Sequence, residues 1–274
     1  MRRIRARSLA VHGALAAIAL LSLVPILWMV SVSFMAPGEA SVSPPPLLPK
    51  EGTLDNYRQI FSQAGMGRSF ANSTLLATLA AALSLAFNVT AGYAFAKLHF
   101  SGRDRVFRML LGALVIPGQV AMIPVFLMLK SAGLVNTYAG VLLPAMANVP
   151  GIFLVRQYAV SIPDTLLEAA RIDGAGELRV FWSIVLPSLS PILVTLAVLS
   201  FLGSWNDFLW PLIVLADDRL YTLPVALASL TREHVQDSEL MMAGSVITVL
   251  PVLGLFLLLQ RYYIRGLLAG SVKG

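Results

Sequence analysis

The sequence contains no cysteine, and charge is scarce: 12% of its 274 residues are charged, whereas 57% are hydrophobic. Without cysteine the chain holds no disulfide, iron–sulfur cluster or thiolate zinc site. The three histidines, His12, His99 and His234, lie far apart in the sequence, which favours isolated polar residues over a shared metal site. Soluble domains usually carry about 25% charged residues, so the composition indicates an integral membrane protein.

Motifs for chemistry are missing as well. The chain has no G-x-x-x-x-G-K phosphate loop, so it is not predicted to hydrolyse ATP, and no H-E-x-x-H or other catalytic pattern supports a membrane enzyme. Ionisable residues are nearly absent from the apolar runs and no internal repeat is visible. Both points argue against an ion-coupled secondary transporter of a polar solute, which stays the alternative. A transporter with this sequence is expected to take its energy from a partner subunit.

Six long apolar intervals lie along the chain, and each is longer than the roughly 20 residues that a helix needs to cross the hydrocarbon core. The first follows basic residues, as in a signal peptide, but it is far longer than a typical apolar signal region of roughly 7–15 residues. We therefore predict an all-α membrane protein with six transmembrane helices, the first an uncleaved anchor. The helices are expected within residues 8–38, 69–96, 109–129, 131–155, 180–206 and 240–260.

The distribution of Lys and Arg predicts the orientation of these spans, because cytoplasmic loops are enriched in both. With the N-terminus inside, 14 of the 20 basic residues fall on the cytoplasmic side and six fall outside. Both termini are therefore predicted to be cytoplasmic. The net charge of +6 follows from this topology, so no nucleic-acid partner is expected.

Proline and glycine interrupt the third and fourth spans at Pro117, Gly118, Pro124, Pro144 and Pro150. Broken helices are tolerated at membrane depth where neighbouring helices or a watery cavity satisfy the freed backbone groups, and transporters build solute pathways from them. Proline is also commoner in membrane helices in general, so each interruption taken alone leaves both interpretations open.

A few polar residues lie within or at the ends of the spans, where they are candidates for the route of a hydroxyl-rich solute. The alternative for any one of them is a hydrogen bond between helices, worth about 1 kcal/mol. The candidates are Asn88, Gln119, Asn148, Trp205, Asn206 and Asp207.

A charged, glycine-broken segment lies between the fourth and fifth spans. Pro163 suits the start of a helix, DTLLEAARI follows, and Gly174 is expected to end it. Glu168 and Arg171 lie at i,i+3 on one face. A short helix joined rigidly to the fifth span suits the transmission of a partner's movement, whereas an ordinary solvated loop is the alternative. An apolar stripe runs along the helix: Leu166, Leu167 and Ala170.

This segment resembles the signature loop of binding-protein-dependent ABC transporter permeases, which reads Glu-Ala-Ala, three residues, Gly, nine residues and Ile-x-Leu-Pro. Every interval matches here: Glu168-Ala169-Ala170, Gly174, Ile184 and Leu186-Pro187. The resemblance covers nearly the whole chain and is greatest to the shorter permease of maltose-type sugar importers. It extends through NSTLLATL, AGYAFAKLHFSGR, SWNDF, TLPVAL and RGLLAGSVKG. Asp207 departs from the pattern, because many relatives carry glutamate there.

The resemblance implies a type I ABC importer permease fold in the bacterial inner membrane. It implies an N-terminal helix and external loop over residues 1–66 and a core permease domain over 67–262, which includes a coupling loop at 163–187. A cytoplasmic tail follows over 263–274.

By the same resemblance, the chain forms half of the pathway for a sugar or sugar-like solute delivered by an extracytoplasmic sugar-binding protein. It would pair with a second permease as a heterodimer and with two ATP-binding cassette subunits, in contact with membrane lipid. The chain itself would bind no cofactor, since the ATPase subunits use ATP and Mg. An exporter permease with the same coupling fold is a further alternative. Dependence of transport on an external binding protein would distinguish an importer from an exporter.

The charged segment would then be a coupling helix that docks into a groove on an ATP-binding subunit and transmits its motion by alternating access. Glu168 would be the charged contact, Ala169 and Ala170 the close-packing surface, and Gly174 the break that sets the angle of the helix. The other residues implied at this contact are Arg171, Asp173, Leu186 and Pro187.

Overall fold

The computed structural model describes residues 2–62, 65–233 and 237–271, with side chains over 11–62, 65–230 and 237–258. Every regular element in these residues is helical, and none of them forms a strand. His234 and residues 272–274 of the predicted tail lie outside the described residues. The helices are α1 (Arg2–Val32), α2 (Asp55–Ser62), α3 (Met66–Lys97), α4 (Arg103–Ala113), α5 (Gly118–Ser131), α6 (Tyr138–Leu142), α7 (Val149–Val160), α8 (Asp164–Ile172), α9 (Glu177–Val180), α10 (Leu186–Ser188), α11 (Ser190–Trp205), α12 (Leu209–Val214), α13 (Leu223–Glu233) and α14 (Ser238–Ser271).

The described helices account for the six predicted spans in two ways. Three are long and apolar enough to cross a membrane alone: Val11–Val32, Met66–Lys97 and Ser238–Leu258. Three bent pairs meet the same test together: α4 with α5 at 104°, Tyr138–Ala145 with α7 at 42°, and Glu177–Ser188 with α11 at 79°. If each bent pair is one span, there are six by length and composition, in the predicted order and close to the predicted intervals.

Prolines accompany all three bends, because proline donates no backbone hydrogen bond and crowds the preceding turn. Pro117 precedes α5, and Pro150 lies in the first turn of α7. These positions confirm the predicted interruptions at Pro117, Gly118 and Pro150, and Pro144 lies in a 3-10 turn before α7. The interruption predicted at Pro124 is wrong, because Pro124 lies inside the continuous helix α5. The third bend, at Leu189 between Pro187 and Pro191, was not predicted.

The chain divides into two compact units, of which the first contains residues 1–68 and 226–251. Here α2 is held to the chain that follows α1 by Asn56, whose amide nitrogen donates to the carbonyl oxygens of Ser33 and Met35 at 3.0 and 2.9 Å. The backbone N–H of Ala40 donates to the buried carboxylate of Glu239 at 2.7 Å. This last bond attaches the loop after α1 to the start of α14.

The helix α1 exposes apolar side chains along its length. Leu15, Ile18 and Leu21 are each more than half exposed. An apolar surface of this extent is unfavourable in water but favourable against lipid, so α1 fits the predicted membrane anchor.

The second unit contains residues 69–225 and 252–274. Its main core joins α3, α7, α8 and α11 through side chains that include Tyr93, Val155, Leu167 and Leu196. Gly92 allows α3 to approach α7, because a Cβ at this position would lie 2.6 Å from Val155 Cγ1. The charged segment is therefore packed on the core of its unit and is not an ordinary solvated loop, while its coupling role stays a prediction.

Candidate coupling segment and solute cavity

The predicted coupling helix is α8. It begins at Asp164, directly after Pro163 at the N-cap, and ends at Ile172. Gly174 follows with φ of +82°, a conformation that glycine adopts without a steric penalty. Both predicted ends of the helix are therefore confirmed. Two backbone hydrogen bonds of 3.0 Å close the C-terminal end in the Schellman pattern: Gly174 N–H to Arg171 O and Ala175 N–H to Ala170 O.

One side of α8 packs on its own unit. Leu167 is 1% exposed, and Ala170 is half-buried against the same core. The opposite side exposes Glu168, Ala169 and Asp173. Neighbouring residues point about 100° apart on a helix, so the two alanines assigned by resemblance to one packing surface face different ways, with Ala169 outward and Ala170 inward.

Large apolar side chains are exposed beside the charged residues. Ile172 is 85% exposed, Leu178 77% and Trp182 63%. An exposed apolar patch rimmed by polar groups is typical of an interaction site. The sequence analysis missed these three residues, although apolar side chains in an otherwise hydrophilic loop are a visible signal.

Arg171 forms its ion pair with Glu177 rather than with Glu168. The distance from Arg171 Nη2 to Glu177 Oε2 is 3.2 Å, and Arg171 Nε donates to the same oxygen at 3.2 Å. Because the chain reverses at Gly174, the first residue of α9 lies beside the last turn of α8. The i,i+3 pair suggested by the sequence is replaced by a bond across the turn.

The start of α8 is bound to the end of α3. Lys97 has a side chain that is 5% exposed, and its Nζ donates to Asp164 Oδ1 and to Ile162 O, both at 2.6 Å. The hydrogen bond from Lys97, and then its positive charge, hold the pKa of the Asp164 carboxyl below its ordinary value of 3.8. Asp164 is therefore ionised at neutral pH and attached to α3.

The connection from α8 to the fifth span is bent. It passes through α9, a π-helical turn at Phe181–Val185 and α10, and then turns by 79° into α11. Pro187 has no N–H to donate within the helical ladder, and the next residue, Ser188, donates its Oγ to Ile184 O at 2.6 Å. Leu186 is half-buried and Pro187 is exposed. The short helix is thus joined to the fifth span through a π-helical turn and a bend, and the predicted rigidity of this connection stays a prediction.

A cavity of about 990 Å³ lies within the second unit. Its walls come from α3, α5, α6, α7, α11 and α12 and are mostly apolar, with Trp210 as an aromatic surface. This volume lies at the upper end of the roughly 300–1,000 Å³ of small-molecule sites. The polar side chains that line it are Gln119, Asn148, Ser200, Ser204, Asp207 and Thr222.

Three of the six predicted pathway residues line this cavity: Gln119, Asn148 and Asp207. Two of them also cap helices. Asn148 Oδ1 accepts the N–H of Gly151 at 2.7 Å at the start of α7. Asp207 Oδ1 accepts the N–H of Trp210 at 3.3 Å near the start of α12. Backbone bonds hold both polar groups in place at the wall.

The other three predicted residues do not line the cavity. Asn88 is buried and bridges helices: its Oδ1 accepts the N–H of Asn148 at 3.0 Å, and its Nδ2 donates to Ser84 Oγ at 2.7 Å. Trp205 is buried against Phe70, with ring centroids 5.6 Å apart. Asn206 donates to the carbonyl of its own helix. For Asn88 the geometry matches the interhelical alternative that the sequence left open.

Three polar cavity residues were missed by sequence reasoning. Ser200 and Ser204 lie one turn apart on α11, so a search for small polar residues at i,i+4 finds both. Thr222 carries no comparable signal, because only the fold brings it to the cavity.

Comparison with known proteins bears on what this arrangement does. Residues 11–268 match the family described as the binding-protein-dependent transport system inner membrane component. The chain belongs to this family. The permease is thus an inner-membrane component of a binding-protein-dependent transport system, as its resemblance had implied.

Several sugar permeases are similar to this permease over almost their whole length. The arabinooligosaccharides transport system permease protein AraQ of Halalkalibacterium halodurans is 40% identical over 94% of this chain and 93% of that protein. The melibiose/raffinose/stachyose import permease protein MelC of Bacillus subtilis is 34% identical over 100% of both. The lactose transport system permease protein LacG of Rhizobium radiobacter is 32% identical over 96% and 95%.

The fold also matches a solved structure. A chain of a bacterial ABC transporter involved in the import of the acidic polysaccharide alginate superposes with a TM-score of 0.86, at 24% identity over 96% of the permease and 98% of that chain. This likeness confirms the predicted all-α permease fold.

Proposed function

We propose that the permease forms half of the translocation pathway of an ATP-driven importer for a neutral sugar or sugar-like solute, and that α8 is its coupling helix. The observation that carries this proposal is the two-sided placement of α8. Leu167 anchors the helix in the core, while Glu168 and the apolar Ile172 remain exposed. A helix held on one side and open on the other is suited to receive a partner without losing its own packing.

The partner at this surface is an ATP-binding cassette subunit. The permease has no phosphate loop of its own, so two such subunits would hold ATP and Mg. The complete importer would also contain a second permease and an extracytoplasmic binding protein. The sugar-transport names of relatives up to 40% identical support this assembly.

ATP would drive transport by alternating access. A ligand shifts a conformational equilibrium only by its difference in affinity for the two states, and a full reversal from 1:99 to 99:1 needs about 5.5 kcal/mol. Closure of the ATPase subunits would supply that difference, and α8 would transmit it to the membrane helices. Solute from the binding protein would enter the cavity in one state and leave to the cytoplasm in the other.

The cavity favours a neutral solute. Asp207 is the only charged side chain among the described residues that line it. A carboxylate in an apolar cavity repels anions, whereas Gln119, Asn148 and Ser200 can bind hydroxyl groups. Arabino-oligosaccharides, raffinose and lactose, named for relatives of this permease, are therefore the first solutes to test.

The coupling role is tested with Glu168→Ala and Ala169→Arg in the complete importer reconstituted in proteoliposomes. Each substitution changes an exposed side chain, so the permease should insert into the membrane normally while uptake is lost. Glu51→Ala is the matched control, since it removes an exposed glutamate from the loop after α1 and should leave uptake unchanged. Normal uptake with both α8 variants would exclude the coupling role.

Two controls address the other classes of transporter. Uptake by the permease alone that follows an imposed ion gradient without ATP would support an ion-coupled secondary transporter. Transport out of the cytoplasm that does not need a binding protein would support an exporter.

A further inference from the structure

The stretch AGYAFAK at the end of α3 places two buried polar side chains against the coupling segment. Tyr93 and Lys97 are four residues apart, so they lie one above the other on the same face of α3. Both are buried, at 4% and 8% exposure. Neither residue is assigned a part in coupling above, and each contacts a different end of the segment.

Lys97 holds the N-terminal end. An ammonium group has three donors, and those of Lys97 reach Ile162 O and Asp164 Oδ1 at 2.6 Å and Val160 O at 3.4 Å. The two carbonyls belong to the end of α7 and the turn after it, and Asp164 is the first residue of α8. A single buried charge therefore ties α3, α7 and α8 together.

Tyr93 holds the C-terminal end. Its hydroxyl donates to Glu177 Oε1, and the carboxylate of Glu177 also binds Arg171. Arg171 lies in the last turn of α8 and Glu177 begins α9, so the bond to Tyr93 fixes the turn between them. The Tyr93 ring also packs against Phe181, with centroids 5.2 Å apart.

The other end of α3 reaches the cavity. Leu76 and Ala80 of α3 line the cavity wall. Lys97 lies 21 positions after Leu76, which is about 31 Å along the helix at 1.5 Å per residue. Gly92 keeps this helix in close contact with α7, since a Cβ there would lie 2.6 Å from Val155. A helix held in this way moves together with the segment attached to it.

We propose that Tyr93 and Lys97 are positioning residues that clamp α3 to both ends of the coupling segment, so that α3 carries the partner's movement to the cavity wall. This inference rests on the proposed coupling role of α8. Under this proposal the second span, α3, transmits the movement of the partner directly to the cavity wall. The alternative path through the fifth span contains a π-helical turn and a 79° bend.

The test uses the complete importer in proteoliposomes, with labelled arabinotriose, raffinose or lactose, whichever the unchanged importer takes up. The measured quantity is the number of solute molecules imported per ATP hydrolysed. A purely structural role would lower the amount of assembled importer but leave this ratio unchanged. We expect Lys97→Met and Tyr93→Phe each to lower the ratio about fivefold or more, the lower end of typical coupling between sites.

Two matched controls separate the clamp from general packing. Tyr158→Phe removes another tyrosine hydroxyl from the edge of the same core, and Asp104→Asn removes the exposed Arg103–Asp104 ion pair. Both should keep the ratio of the unchanged importer. Asp164→Asn should lower the ratio and Asp164→Glu should preserve it, because the exposed position leaves room for the longer carboxylate to reach Lys97.

The outcomes distinguish this inference from the proposed function. Suppose that Glu168→Ala loses transport while Tyr93→Phe and Lys97→Met both keep the ratio of solute imported per ATP hydrolysed. This result would overturn the proposed clamp but would still support α8 as the coupling helix. If Lys97→Met fails to assemble, Tyr93→Phe decides, since it removes a single oxygen atom. An unchanged ratio in Tyr93→Phe would then overturn the clamp.

Discussion

Replacing Gly92 by alanine should force α3 and α7 apart. The new Cβ would lie 2.6 Å from Val155 Cγ1, 2.7 Å from Val155 Cβ and 3.0 Å from the backbone nitrogen of Arg156. Carbon atoms in contact are about 3.5–4.0 Å apart, so the helices must separate by up to about 1 Å. Because one of the close atoms belongs to the backbone, a new rotamer of Val155 cannot relieve the contact. Overpacking of this kind destabilises a protein by about 1–3 kcal/mol.

The assay is the apparent unfolding temperature of the purified permease in detergent. With about 2–4 °C for each kcal/mol, the middle of that range corresponds to a decrease of about 4–8 °C. Gly112→Ala is the matched control, because Gly112 lies in α4 with no atom within 4 Å of a new Cβ. Alanine there should raise the stability by up to about 1 kcal/mol.

A second substitution sharpens the test. Val155→Ala in the Gly92→Ala background should restore only part of the loss, because Val155 Cβ stays 2.7 Å from the new methyl group. Equal unfolding temperatures for Gly92→Ala and Gly112→Ala would show that α3 and α7 do not meet at this point, and the packing argument would fail.

Three further predictions concern a charge, a helix cap and selectivity. The pKa of Asp164 is lowered in the folded permease, so its ion pair stabilises the fold above the ordinary pKa of 3.8 and is lost as the pH falls through the folded value. The difference in unfolding temperature between the unchanged permease and Asp164→Asn should therefore shrink below pH 3.8; a constant difference would contradict the ion pair. Asn148→Ala removes the cap on Gly151 N–H and should destabilise the permease by about 1 kcal/mol, while Asn206→Ala, measured by the same unfolding assay, should have little effect. Asp207→Asn should raise uptake of an acidic oligosaccharide relative to a neutral one by roughly tenfold, and an unchanged ratio in a competition assay would argue against the carboxylate as an anion filter.

The features that follow from local sequence were predictable. The spans could be located because each is a continuous apolar stretch. The length and hydrophobicity that a helix needs to cross a membrane are properties of its own sequence and do not depend on neighbouring helices. The ends of α8 were also visible, since Pro163 suits a helix start and Gly174 suits the left-handed turn after a helix. The spacing from Glu168 to Pro187 was enough to indicate the family.

The tertiary structure decided which polar groups meet. Asn88 and Asn148 look alike in the sequence, yet the fold buries Asn88 between helices and places Asn148 at the cavity. Arg171 binds Glu177 because the chain reverses at Gly174. Tyr93 and Lys97 reach the coupling segment from 84 and 67 positions away, respectively. Apolar periodicity and turn signals act over a few residues, whereas the partner of a polar side chain depends on helices that are distant in the sequence, and only packing brings those together.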